Sequence, residues 1–139
     1  MKKIAIILSE FNTKVTDGLF LGCKNALFER GVNDSEIKLL KVPGAFELPA
    51  AANQLTQLPD IKAVIVLGAI IKGETDHYTY ICQAVSYGLM QVTLNSSIPV
   101  LFGVLTCPTV ELAFNRSEPD DDNNKGYEVG IAAMDMLEI

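Results

Sequence analysis

The chain has 139 residues, a formal net charge of -6 and 49% hydrophobic residues, with 10 glycines, 6 prolines and no low-complexity stretch. These proportions suit one ordinary globular domain over residues 1–139. The acidic balance argues against nonspecific nucleic-acid binding, which needs clustered lysine and arginine to neutralise phosphates.

No apolar run approaches the ~20 residues of a membrane span. The start, Met1-Lys2-Lys3 and then an apolar stretch, has the outline of a signal peptide, but Ser9-Glu10-Phe11-Asn12 interrupts it early and no small-residue cleavage site follows. Residues 3–9 are therefore read as the first strand. Three cysteines, Cys23, Cys82 and Cys107, with no CxxC pair, point away from a disulfide framework or a zinc site and towards a reducing cytoplasm.

After that strand, Thr13 is expected to cap a helix whose apolar face repeats at Val15, Leu19, Gly22, Cys23, Ala26 and Leu27, with Gly31 ending it. The turn Asn33-Asp34-Ser35 leads into a second strand at 37–42. Pro43-Gly44 then turns the chain into a helix carrying Leu48, Ala51, Ala52 and Leu55, with Pro49 in its first turn. Residues 63–69 form a third strand, apolar on both faces as buried parallel strands are. From Thr75 the pattern turns helical, with Ile81, Ala84, Val85, Gly88, Leu89 and Val92 on one stripe. His77, the only histidine, falls in its first turn. Residues 99–106 form the fourth strand, and Pro108 opens a short helix through Val110, Ala113 and Phe114. An acidic loop at 118–124 precedes a last helix with Val129, Ala132, Ala133 and Met136. The order βαβαβαβαα implies a parallel sheet with right-handed crossovers and helices on both faces.

Ligands of such sheets bind beyond the carboxyl ends of the strands. The unusual residues gather there, at 9–12, 42–47, 70–77 and 102–108. Four cations near these loops, Lys72, His77, Arg116 and Lys125, can oppose the acidic field locally. Gly68, Gly73 and Thr75 match GxxxxGK[ST] except that Glu74 replaces the lysine. A carboxylate there repels phosphates, which argues against an ATPase, and no GxGxxG is present. The N–H groups of Glu74 and Thr75 can still receive one phosphate at a helix start, although capping by Thr75 and Asp76 explains the same residues.

Further pairs of readings stay open. His77 is either a structural histidine or, since a helix start favours the neutral imidazole, a proton acceptor. Cys107 beside Pro108 is either a nucleophile paired with His77 or a small apolar residue. Phe11, Phe46 and Phe102, each expected at a strand end, either cap the sheet or stack on a flat heterocycle. Arg116 is either a solvated helix end or a phosphate clamp.

Taken together, Ser9-Glu10-Phe11-Asn12, Val42-Pro43-Gly44-Ala45-Phe46-Glu47-Leu48-Pro49, the stretch 68–78, the stretch 99–106 and Asn124-Lys125-Gly126 resemble the 6,7-dimethyl-8-ribityllumazine synthase family nearly end to end. The resemblance implies a flavodoxin-like three-layer α/β/α sandwich on a four-stranded parallel sheet. It implies condensation of 5-amino-6-(D-ribitylamino)uracil with 3,4-dihydroxy-2-butanone 4-phosphate, the penultimate step of riboflavin biosynthesis, without metal or organic cofactor. Phe11 would stack on the pyrimidine; Asn12, Ala45, Phe46, Glu47 and the Ile70 and Ile71 backbone would hold the ring and the ribityl chain. Glu74, Thr75 and Arg116 would bind phosphate, His77 would shuttle protons, and Phe102 and Lys125 would complete the pyrimidine site.

The family places its site between neighbouring subunits of a pentameric ring, so homo-oligomerisation is implied. An isolated pentamer is expected in preference to a shell of sixty subunits, because the chain starts almost at its first core strand and its 117–124 loop is acidic and contains Pro119. Lys72, Cys107 and Asn115 depart from the arginine, threonine and acidic residue common at those places. Two rivals share the architecture: an archaeal-type riboflavin synthase, which His77 and the Phe102-Gly103-Val104-Leu105-Thr106 stretch oppose, and a non-catalytic flavodoxin-like module binding a flavin or pyrimidine.

Overall fold

The computed structural model describes residues 1–139. Four strands, β1 (Lys3–Ser9), β2 (Ile37–Val42), β3 (Ile61–Ile71) and β4 (Val100–Cys107), form one parallel sheet in the order β2-β1-β3-β4. Five helices complete the chain: α1 (Thr13–Glu29), α2 (Leu48–Leu55), α3 (His77–Asn95), α4 (Val110–Asn115) and α5 (Lys125–Leu137). The expected element order and three-layer architecture are both present.

The layers follow from the pleat. In β1, Ile4, Ile6 and Leu8 join Val15, Leu19 and Leu27 of α1, Ala113 of α4 and Val129 and Ala133 of α5 on one face. Ala5 and Ile7 face the other way, onto Leu48 and Ala52 of α2 and Val85 and Leu89 of α3. β3 lies between β1 and β4 and is buried on both sides, which is why its sequence does not alternate.

Helix ends are set by local chemistry. α1 stops where Gly31 adopts φ 88°, so that Val32 N–H donates to Leu27 O at 3.0 Å and Gly31 N–H to Phe28 O at 3.0 Å. Those two bonds satisfy carbonyls that the helix would otherwise leave open. Its other end differs from expectation. Asn12, not Thr13, is the capping residue, and the Thr13 hydroxyl donates to Glu10 O at 2.7 Å.

Two strand boundaries also differ. β3 runs on to Ile71, and its last residues offer partners to β4 as far as the Ile71–Cys107 pair. Cys107 therefore closes β4, and Pro108 does not open the helix; α4 begins at Val110, where the Thr109 side chain accepts from Leu112 N–H at 3.3 Å.

Candidate active site

The loops after β1 and β2 are laced together beyond the sheet. Glu10 N–H donates to Val42 O at 2.9 Å and Phe11 N–H to Pro43 O at 3.1 Å. Asn12 then takes φ 67° and ψ 52°, the only non-glycine residue of the chain with positive φ. Asparagine tolerates this left-handed region better than most side chains. The reversal turns the chain directly into α1 while leaving the Phe11 ring 73% exposed.

Opposite, Gly44 is extended and a single 3-10 turn, Ala45–Glu47, joins it to α2. Ala45 is buried, Phe46 stands 60% exposed, and a Cβ on Gly44 would lie 3.3 Å from Glu47 Oε1, so this carboxylate leans over the glycine. The third wall comes from the end of β3 and the start of α3. These segments enclose a cleft of about 500 Å³ lined by Phe11, Asn12, Ala45, Phe46, Glu47, Ile70, Ile71, Thr75 and His77, together with Gly44, Ala69, Gly73, Tyr78 and Ile81. Flat rings, one carboxylate and one imidazole thus share a concave, mostly apolar space, as small-molecule sites do.

α3 starts at His77, two residues after Thr75, where a helix was expected. The Thr75 hydroxyl accepts from His77 N–H at 3.3 Å, whereas the Asp76 side chain makes no capping bond. The N–H groups of Glu74 and Thr75 precede the helix and have no acceptor within the chain. The Glu74 side chain does not line the cleft, and neither does Lys72.

Three further candidates lie elsewhere. Phe102 is the third residue of β4, paired with Val66 along the strand, so it does not sit at the carboxyl end of its strand. The expected strand, 99–106, already held Phe102 in its interior, and pairing with β3 carries the observed strand only one residue further, to Cys107. Phe102 is 39% exposed on the outermost strand, on the same side as Val104, which packs towards α2 and α3. Arg116 caps the end of α4: its Nε donates to Asn123 O at 2.8 Å and one terminal nitrogen pairs with Glu128 at 2.9 Å. Lys125 Nζ pairs with the other Glu128 oxygen at 3.1 Å. Neither cation lines the cleft.

Burial of Cys107 at the end of β4 disfavours the nucleophile reading. Burial pushes its thiol up, with the Arg116 charge opposing and Cys82 adding to the rise. Wholly buried Cys23 is pushed up to about 12. Such thiols stay protonated at neutral pH, and the thiolate is the reactive form. Cys107 is accordingly expected to react with an alkylating reagent at pH 7 more slowly than free cysteine, as peptide mass mapping over a time course would record.

A family model described as 6,7-dimethyl-8-ribityllumazine synthase matches residues 1–139. The chain belongs to that family. The lumazine synthase of Coxiella burnetii strain CbuG_Q212 is 45% identical over 137 residues, covering 99% of this chain and 90% of the relative. That of strain RSA 493 / Nine Mile phase I matches to the same extent, and that of strain Dugway 5J108-111 is 44% identical over 137 residues with the same coverage. In lumazine synthase terms, the cleft gathers the residues expected around the pyrimidine, while Arg116, Lys125 and Phe102 stand apart from it. Tyr78 and Ile81 are lining residues that periodicity had marked only as helix; the signal available was their place one and four residues after His77, in the first turns beyond a strand end.

Proposed function

We propose that the chain condenses 5-amino-6-(D-ribitylamino)uracil with 3,4-dihydroxy-2-butanone 4-phosphate to form 6,7-dimethyl-8-ribityllumazine, with loss of phosphate and water. The observation that carries this reading is the cleft that unites Phe11, Phe46, Glu47 and His77 at the carboxyl edge of the sheet.

The pyrimidine ring stacks on Phe11, with Asn12, Ala45, Phe46 and the backbone of Ile70 and Ile71 bounding ring and side chain. Glu47 accepts hydrogen bonds from the ribityl hydroxyls. Orienting amine and ketone at attack distance is a large part of catalysis, since such positioning reaches ~7–11 kcal/mol in well-oriented systems. The amine then attacks the carbonyl, and His77 moves protons as the imine forms and the enol side loses phosphate. The free Glu74 and Thr75 N–H groups and a guanidinium receive the leaving dianion.

That guanidinium comes from a neighbouring copy. Arg116, Lys125 and Phe102 of one protomer complete the cleft formed by Phe11 and His77 of the next, in a homo-oligomeric ring for which a pentamer is the preferred closure. Supporting this, α3 exposes Tyr80, Tyr87 and Leu94 seven residues apart, with Met90 beside them, and Leu94 is 74% exposed. A seven-residue apolar repeat is the seam by which helices pack together. Tyr87→Glu would bring like charges together around such a seam. The variant is expected to sediment as smaller species with native circular dichroism and to lose turnover.

Three unpaired thiols fit a reducing, cytoplasmic setting, and no helix is long and apolar enough to cross a membrane. The function itself is tested by supplying both substrates and following lumazine absorbance with phosphate release. Both signals should rise together. A binding module would give neither, and a riboflavin synthase would consume lumazine.

A further inference from the structure

Asn124 is fully buried, at 0% exposure, beneath the loop that links the two cations absent from the cleft. Both amide hydrogens and the amide oxygen have partners. Nδ2 donates to Gly18 O of α1 at 3.0 Å and to Glu118 O of the loop at 2.9 Å, and Oδ1 accepts from Tyr127 N–H at the start of α5 at 3.0 Å. One side chain therefore ties together a helix more than a hundred residues away, the acidic loop and the capping of α5.

The space it occupies is shaped for it. A Cβ on Gly22 would stand 2.3 Å from Asn124 Oδ1, and one on Gly126 would stand 1.9 Å from Leu19 O. Without side chains at these points α1 and α5 close around the amide. Buried amides held this way resist displacement, because any shift strands donors or carbonyls without water.

The neighbours of Asn124 hold Arg116 from both sides. Asn123 O accepts from the Arg116 Nε at 2.8 Å, and Lys125 N–H donates to Arg116 O at 2.8 Å. Glu128, whose N–H bonds Asn124 O at 3.1 Å, pairs with both Arg116 and Lys125. We propose that Asn124 is the positioning residue of this half-site: it touches no substrate, and its buried amide sets where Arg116 and Lys125 stand relative to each other and to the neighbouring cleft. The proposal rests on the reading above that Arg116 grips the phosphate.

Asn124→Ser is the mild test, since serine retains a capping oxygen for α5 but cannot reach Gly18 O and Glu118 O. Asn124→Asp, of equal shape but turning acceptors towards two carbonyls, is read beside it. Both are compared with the whole assembled protein by circular dichroism, sedimentation and steady-state kinetics. In the folded variants KM for the butanone phosphate is expected to rise about tenfold, more than kcat falls, because small displacements of a positioned group cost heavily. Combined with Arg116→Ala, the substitution should add no further rise in that KM.

A folded variant with unchanged KM, or a rise that adds in full to that of Arg116→Ala, would overturn the proposal while leaving the phosphate assignment standing. Failure of both variants to reach the wild-type assembly would overturn it too, because a requirement for folding then explains the residue. If Arg116→Ala itself left KM unchanged, the phosphate assignment would fail and this proposal with it.

Discussion

Replacing Arg116 with alanine is expected to lower kcat/KM for the butanone phosphate about a hundredfold, a loss of two to three charge-assisted hydrogen bonds offset by the remaining cation and amides. The net value is smaller than the gross contact energy for a structural reason. Arg116 is already engaged, with Glu128 at 2.9 Å and Asn123 O at 2.8 Å, so a phosphate bound there would replace one partner by another. Surrendering Glu128 costs little, since that carboxylate is about half exposed and ion pairs so placed contribute little. Arg116→Lys should recover only part of the loss, because an ammonium cannot match the planar fork on a phosphate. Pyrimidine binding, measured by equilibrium titration, should change only severalfold. Steady-state kinetics with each substrate varied in turn separates these outcomes.

His77→Ala is expected to slow kcat by ~10² or more, within the range that a positioned proton-transfer group contributes. His77 is the first residue of α3 and is solvent-exposed, so its loss leaves no cavity and removes no core contact. Its N–H, the one atom bonded to Thr75, belongs to the backbone and survives the substitution. Stability and pyrimidine affinity should therefore stay close to wild type. A variant that bound pyrimidine poorly but turned over normally at saturation would show His77 to be a binding group only.

The sheet and its helices were legible because their signals are periodic. The doubly buried run of β3, the three- and four-residue spacing of α1 and the glycine at its end each encode one element without reference to distant residues. β1 and β2 match their expected bounds and β4 is shifted by one residue, whereas β3 runs two residues further at each end, where partners on β1 and β4 continue to pair with it. Phe102 lies inside β4 by the expected and the observed bounds alike, so its expected place at a strand end did not follow from the strand itself.

Much of the cleft was also readable, since Phe11, Phe46 and His77 break the apolar pattern where strands stop. What one residue does to the backbone was not. Asparagine at position 12 does not announce a left-handed conformation, and only the lacing of Glu10 and Phe11 to β2 requires it. The Lys125–Glu128 pair follows from helical spacing. The hold of Glu128 and Asn123 on Arg116, and of Asn124 on α1, joins segments whose nearness depends on the finished fold.

The shared crevice is tested most directly by mixing two crippled chains. His77→Ala and Arg116→Ala protomers, dissociated and reassembled together, should form rings in which about a quarter of sites pair an intact His77 with an intact Arg116 across an interface. Lumazine formation recovering to about a quarter of the wild-type rate is the expected result. A reassembled mixture no more active than its two parents would contradict a site divided between neighbouring subunits.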